Sequence, residues 1–160
     1  MVVSLSFCIF ARNNLEYIKE SKLSSYIEIN KTTVLSYLAG MQKAELLNLL
    51  YTDNKSVTKM QKPDKVYLHN PNMHYALSSE EKIGTIRECF VVNQLSASHT
   101  VEYGKTQGDF KIDGKIILEV GGKDKTFDQI ADIPDSYVLA DSMEFPIGKK
   151  LPIWIVGFLY

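Results

Sequence analysis

Cysteine is nearly absent from this chain. Its two residues, Cys8 and Cys89, lie far apart, with neither disulfide-framework nor metal-ligand spacing, and point to a reduced, cytoplasmic setting. A dominant charge is also lacking, since 18 basic and 19 acidic residues leave a formal net charge of -1. That excludes a global electrostatic footprint for nucleic acid, so any such contact must come from a local patch. Long apolar runs are missing too. Val2–Phe10 is apolar, but it has no basic leader or small-residue cleavage site and falls well short of the roughly 20 residues that span a bilayer. A buried strand or the stump of a longer element is the expectation there, and no membrane partner is expected. Repeats and low-complexity tracts are absent from the sequence.

What remains is an ordinary globular composition, 45% hydrophobic and 23% charged over 160 residues, enough for one medium domain or two small ones. The first half reads as helical. Asn13–Tyr26 carries a modest amphipathic pattern, and Thr33 is the expected N-cap of a second helix bearing Val34, Leu35, Leu38 and Met41 at helical spacing. Ala44–Tyr51 is short and apolar and fits either a strand or a helical turn. The polar stretch TDNKSVTKMQKPDK then suggests a hairpin. Together these elements suggest a winged helix-turn-helix over residues 1–70, with residues 1–27 less well defined. Its wing carries Lys55, Lys59, Lys62 and Lys65 against Asp53 and Asp64, basic enough to touch DNA phosphates, although such a run is more often simply a solvated hairpin.

Asn70-Pro71-Asn72 marks the expected boundary to a second domain, residues 71–160. Ser78 and Glu81 form a capping box before a helix whose apolar stripe is Ile83, Ile86 and Phe90, joined by Val91 and Leu95. Strand candidates follow at His99–Tyr103, Asp109–Ile112, Lys115–Val120 and Tyr137–Ala140, with a short helix around Thr126–Asp132 and a last strand at Ile153–Tyr160. The fold class is therefore α/β (α+β): a helical winged-helix-like part, then a mixed sheet with flanking helices.

That element order matches the core of the PD-(D/E)XK nuclease-like fold. There, two carboxylates on adjacent strands hold Mg²⁺, and a lysine stabilises the attacking water and the developing phosphate charge. Asp109 and Glu119 occupy the two acid positions, joined by the short turn Ile112-Asp113-Gly114-Lys115, and Glu88 on the preceding helix is a possible third acid. The lysine belongs two residues after the glutamate, on the same strand face, but that position is Gly121. Lys123 is the next lysine, and it could serve only if the loop folds back. For each residue alone a bland role suffices: Asp109 as a strand-start residue, Glu119 as a strand-end acid, Gly121-Gly122 as an unusual turn.

Other signals fall away. Gly104-Lys105-Thr106 imitates the end of a phosphate-binding loop, but the glycine required five residues earlier is His99. His69, His74 and His99 show no metal spacing, and Ser96 and Ser98 lie in no nucleophile elbow.

The segments YLHNPNMHYAL, GTIRECFVVNQL, GDFKIDGKIILEVGGKDKTFDQI and LPIWIVGFLY resemble the C-terminal region of a family of prokaryotic AAA-type ATPases. In that family a nucleotide-hydrolysing domain is followed by a winged helix and a nuclease-like domain of unknown function. The resemblance covers roughly residues 28–160 and is most specific at EVGGK. It implies a non-catalytic accessory or regulatory module, partnered by an ATPase domain in cis or trans or by another protein, with no cofactor. The alternatives are a Mg²⁺-dependent nuclease using Asp109, Glu119, Lys123 and Glu88, and a winged-helix protein binding DNA through Val34–Met41 and the lysine-bearing wing.

Overall fold

Asn30, rather than Thr33, starts the first helix. Its side-chain oxygen accepts from Thr33 N at 2.8 Å and from Thr33 Oγ1 at 2.9 Å, so the threonine sits inside the first turn and helix α1 spans Lys31–Lys43. The structure, a computed structural model, describes residues 30–52, 61–77 and 82–159. The helix expected at Asn13–Tyr26, the Ser78–Glu81 capping box and the wing lysines Lys55 and Lys59 lie outside them.

The described residues form helices and two sheets, distributed over two compact units that part between Lys82 and Ile83. In the first unit, α1 buries Val34, Leu38 and Met41, a stripe at helical spacing. Ala44–Leu46 forms a turn, and Leu47–Leu50 is a strand, β1, which settles the open reading of that run. It pairs antiparallel with β2, Lys65–Leu68, and every residue of both strands is buried. The short helix α2, Asn72–Leu77, follows the Asn70-Pro71 turn and belongs to this unit.

The second unit opens with helix α3, Ile83–Leu95. Its buried face is Thr85, Cys89, Val91, Val92 and Leu95, whereas Ile83 is 42% exposed and Ile86 and Phe90 are only partly covered. The expected stripe is thus rotated toward the small residues, which let the helix approach its neighbours. Burial pushes the Cys89 thiol up to about 12, so it packs as an inert apolar group.

Five strands follow in the order β3 (Val101–Tyr103), β4 (Phe110–Ile112), β5 (Ile116–Gly121), β6 (Ser136–Ala140) and β7 (Lys150–Pro152). The pairs β3–β4 and β4–β5 are antiparallel, while β5–β6 and β6–β7 are parallel, giving the mixed sheet expected. Parallel neighbours need a crossover, and residues 122–135 supply it.

Two expectations fail here for identifiable reasons. The crossover is not the helix expected at Thr126–Asp132. Its bonds run Ile130 N to Phe127 O (2.8 Å) and Ile133 N to Ile130 O (3.1 Å), an i+3 pattern that turns every three residues. That period aims Phe127, Ile130 and Ile133 into one cluster with Ile117, Val138 and Ala140 on the sheet. Nor does Ile153–Tyr160 form a last strand. Pro152 pairs with Ala140, the final residue of β6, so the chain beyond it has no ladder partner and winds into a 3-10 helix, Ile153–Phe158.

Candidate functional site

Strand β5 alternates its side chains, so Ile117, Glu119 and Gly121 share one face and Leu118 and Val120 the other. The first face is the one that the crossover covers, because Ile117 packs with Ile130. Glu119 is therefore a carboxylate under a lid of chain, and it is only 1% exposed. A buried charge of this kind must be paired.

Its partner is Lys125. The Lys125 ammonium forms an ion pair with Glu119 Oε1, and its side chain is 30% exposed. Gln129 lies four residues further on, and the amide orientation that its surroundings favour turns the nitrogen toward the carboxylate: so oriented, it donates to Glu119 Oε1 at 3.2 Å and to Oε2 at 3.3 Å. Burial alone would lower the Lys125 pKa. The hydrogen bond and charge of Glu119, aided by the charges of Asp109 and Glu88, outweigh that effect and raise it. The ammonium is consequently held in its charged form within the electrostatic reach of three acids.

The route of the Lys125 chain explains Gly121. A Cβ built on Gly121 would lie 2.7 Å from Lys125 Cβ and Cγ and 2.8 Å from Cδ. Gly121 is a glycine because the Lys125 stem passes through the space that its side chain would fill. That space is where a lysine two residues beyond Glu119 would start, so Lys125 enters it from the crossover instead.

Asp109 is brought alongside by the β4–β5 hairpin. The Asp109 amide donates to Leu118 O at 2.9 Å, and its carboxylate Oδ2 accepts from Val120 N at 2.8 Å. The two bonds bracket Glu119 in sequence, fixing Asp109 opposite it on the neighbouring strand. Gly108 makes the approach possible. Its φ is +72°, and an added Cβ would meet Ile117 Cγ2 at 2.8 Å and Leu118 O at 2.9 Å.

Of the residues singled out in the sequence, Asp109 and Glu119 are brought together and Glu88 is near enough to act on Lys125. Arg87, the neighbour of Glu88, pairs through Nε with Asp141 Oδ2 at 3.0 Å. Lys123 stays exposed, and its carbonyl accepts from Lys150 Nζ. Sequence reasoning missed Lys125 and Gln129, which lie on a turned segment with no strand or α-helical period to mark a shared face. In the first unit, Lys62 is exposed, whereas Lys65 is 8% exposed with its ammonium 5.7 Å from the centre of the Tyr67 ring.

The donor set is all oxygen, which suits a hard cation such as Mg²⁺, and that ion commonly takes one or two carboxylates and keeps several waters. Among the described residues no three His, Cys, Asp or Glu side chains stand close enough to form a metal-holding group on their own. Asp109 and Glu119 are two carboxylates on adjacent strands, with Glu119 Oε1 already paired to the Lys125 ammonium. No described helix is long and apolar enough to cross a membrane. Comparison with known protein families, curated proteins and solved structures found no match for this chain.

Proposed function

We propose that the second unit is a Mg²⁺-dependent, nuclease-like site for phosphodiesters, with its lysine relocated from position 121 to Lys125. The carrying observation is the Lys125 side chain, which runs over Gly121 and ends on Glu119. Chance placement of a surface lysine does not require a glycine beneath its stem. It also does not require a buried acid at its tip.

In this reading Asp109 and Glu119 would hold the metal ion, which supplies Lewis-acid activation when bound. The chain's own residues do the rest. Lys125, kept cationic by its acidic surroundings, offers a fixed positive charge to a phosphate oxygen as negative charge builds there. Gln129 fixes the orientation of the Glu119 carboxylate. Val120 N performs the same service for Asp109.

The test is cleavage of plasmid and of linear single- and double-stranded DNA by the full chain with Mg²⁺ or Mn²⁺. Cleavage that disappears in Glu119→Ala and in Lys125→Met is the expected result. A wild-type chain with no metal-dependent cleavage of any of these substrates overturns the reading.

A second reading keeps its place because of one observation. Glu119 is almost fully buried and already neutralised by Lys125, as in a structural ion pair. Under it the chain is the accessory module of an AAA-type ATPase, working by docking to the ATPase domain or to another protein. Co-purification with an ATPase encoded beside it, undisturbed by Lys125→Met, is the outcome that favours docking over chemistry.

A further inference from the structure

We propose that His99 is a pH-operated clasp that fastens the C-terminal end of the described chain to the β4–β5 hairpin. The inference is independent of the nuclease-like reading.

His99 lies just beyond α3, and its two ring nitrogens reach in different directions. Nδ1 is 2.8 Å from Asp113 Oδ2, at the tip of the hairpin. Nε2 is 3.1 Å from the carbonyl oxygen of Leu159. Both partners are acceptors and have no proton to give. A neutral imidazole has one N–H and can satisfy only one of them. The observed geometry is complete only for the imidazolium, which donates on both sides.

The hairpin end of the clasp is fixed in place. Asp113 adopts φ +51° at the turn, its amide donates to Thr100 O at 2.9 Å, and its Oδ1 accepts from Thr100 N at 2.9 Å. Its carboxyl is held below the usual carboxylate range, first by the Thr100 amide and then by His99, with Lys115 adding a smaller charge effect. Asp113 therefore stays ionised across the pH range in which an imidazole gains or loses its proton. Among the described residues the titratable and charged groups at the clasp are His99, Asp113 and Lys115, and the C-terminal segment contributes the Leu159 carbonyl.

Losing the proton has a directional consequence. The remaining N–H stays with the charged acceptor, Asp113, because a charge-assisted bond is the stronger one. The lone pair of Nε2 then faces the lone pairs of the Leu159 oxygen at close range, and that contact is released. Leu159 follows Phe158 directly, and the Phe158 ring lies edge-on to Trp154 with centroids 6.0 Å apart. Trp154, the single tryptophan of the chain, is tied to Met143 O through Nε1 at 3.2 Å. Release at Leu159 is thus read out by Trp154 fluorescence.

The experiment follows Trp154 emission and the His99 ring ¹⁵N signals of the full chain between pH 5 and 8.5. The expected result is one fluorescence step whose midpoint coincides with the His99 titration. That step is lost in His99→Gln. Trp154 emission that stays constant while His99 titrates overturns the proposal. So does a step that persists unchanged in His99→Gln, since every other histidine is retained in that variant.

Discussion

Two buried polar side chains, one in each unit, are accommodated in opposite ways. In the first, the His74 ring is 7% exposed, and its Nε2 has no hydrogen-bond partner among the described residues. In the second, Glu119 is 1% exposed, with an ammonium and an amide converging on it. His74 is tolerated because it can stay neutral, so burial only lowers its pKa. Glu119 is tolerated because partners have been built around its charge. A lone buried polar group speaks of packing; a buried charge with donors drawn from a separate segment speaks of a constructed site.

The contrast is most easily broken at Lys125. Its truncation to Ala leaves the Glu119 carboxylate buried with Gln129 alone, which should cost about 3 kcal/mol, the scale for removing one partner of a buried ion pair. Urea unfolding of the second unit's signal measures this, and a loss below about 1 kcal/mol would show that Glu119 needs no cation. The same position permits a sharper test with Lys125→Gly, which also removes the Cβ that would lie 2.7 Å from a Cβ at position 121. Adding Gly121→Lys to Lys125→Gly returns the lysine to the strand position, free of the three Lys125 atoms nearest to its Cβ. Recovery of stability, and of cleavage where the wild type cleaves, is the expected outcome.

Gly121→Ala alone comes next in size. Its methyl would press on three Lys125 atoms at 2.7–2.8 Å, forcing the lysine off Glu119 or shifting the crossover. About 1–3 kcal/mol is expected, the usual range for overpacking. Combined with Lys125→Ala the two costs should be strongly non-additive, since both act on one ion pair. Additive costs would mean that Lys125 and Gly121 are unrelated.

How much of this was legible in the sequence follows from the range of the interactions. Asp109 and Glu119 were legible because a short hairpin fixes their register; Phe110 pairs with Leu118, leaving the two acids opposite each other. Strand alternation likewise placed Gly121 on the same strand face as Glu119. Lys125 was not legible, because it reaches Glu119 by a turned-back segment that has no strand or α-helical period. The same limit applied to the crossover itself, where an i+3 pattern was read as α-helix. At the C-terminus, the apolar run after Pro152 looked like a strand, and only the end of β6 at Ala140 denies it a partner. Tertiary context decided each of these, whereas the cap at Asn30 was available locally and was passed over for Thr33. Asn30→Ala should cost the first unit about 1 kcal/mol, the usual value of such a cap, measured as a lower denaturation midpoint with an unchanged slope.

The smallest effect returns to His74, where a single proton is at stake. Its pKa in the folded chain lies below the ordinary 6.5, so between those two values the unfolded chain binds the proton more readily. The stability associated with the neutral buried ring is therefore fully present above pH 6.5 and is lost as the pH falls toward the folded value. The slope contributed by one group cannot exceed about 1.4 kcal/mol per pH unit. His74→Gln should remove that contribution while leaving the Glu119 site untouched. The check is a pair of urea titrations at pH 7.5 and 5.5, with the stability of the first unit falling more in the wild type than in His74→Gln. An equal fall in both would mean that His74 finds a partner when protonated, and the contrast with Glu119 would then dissolve.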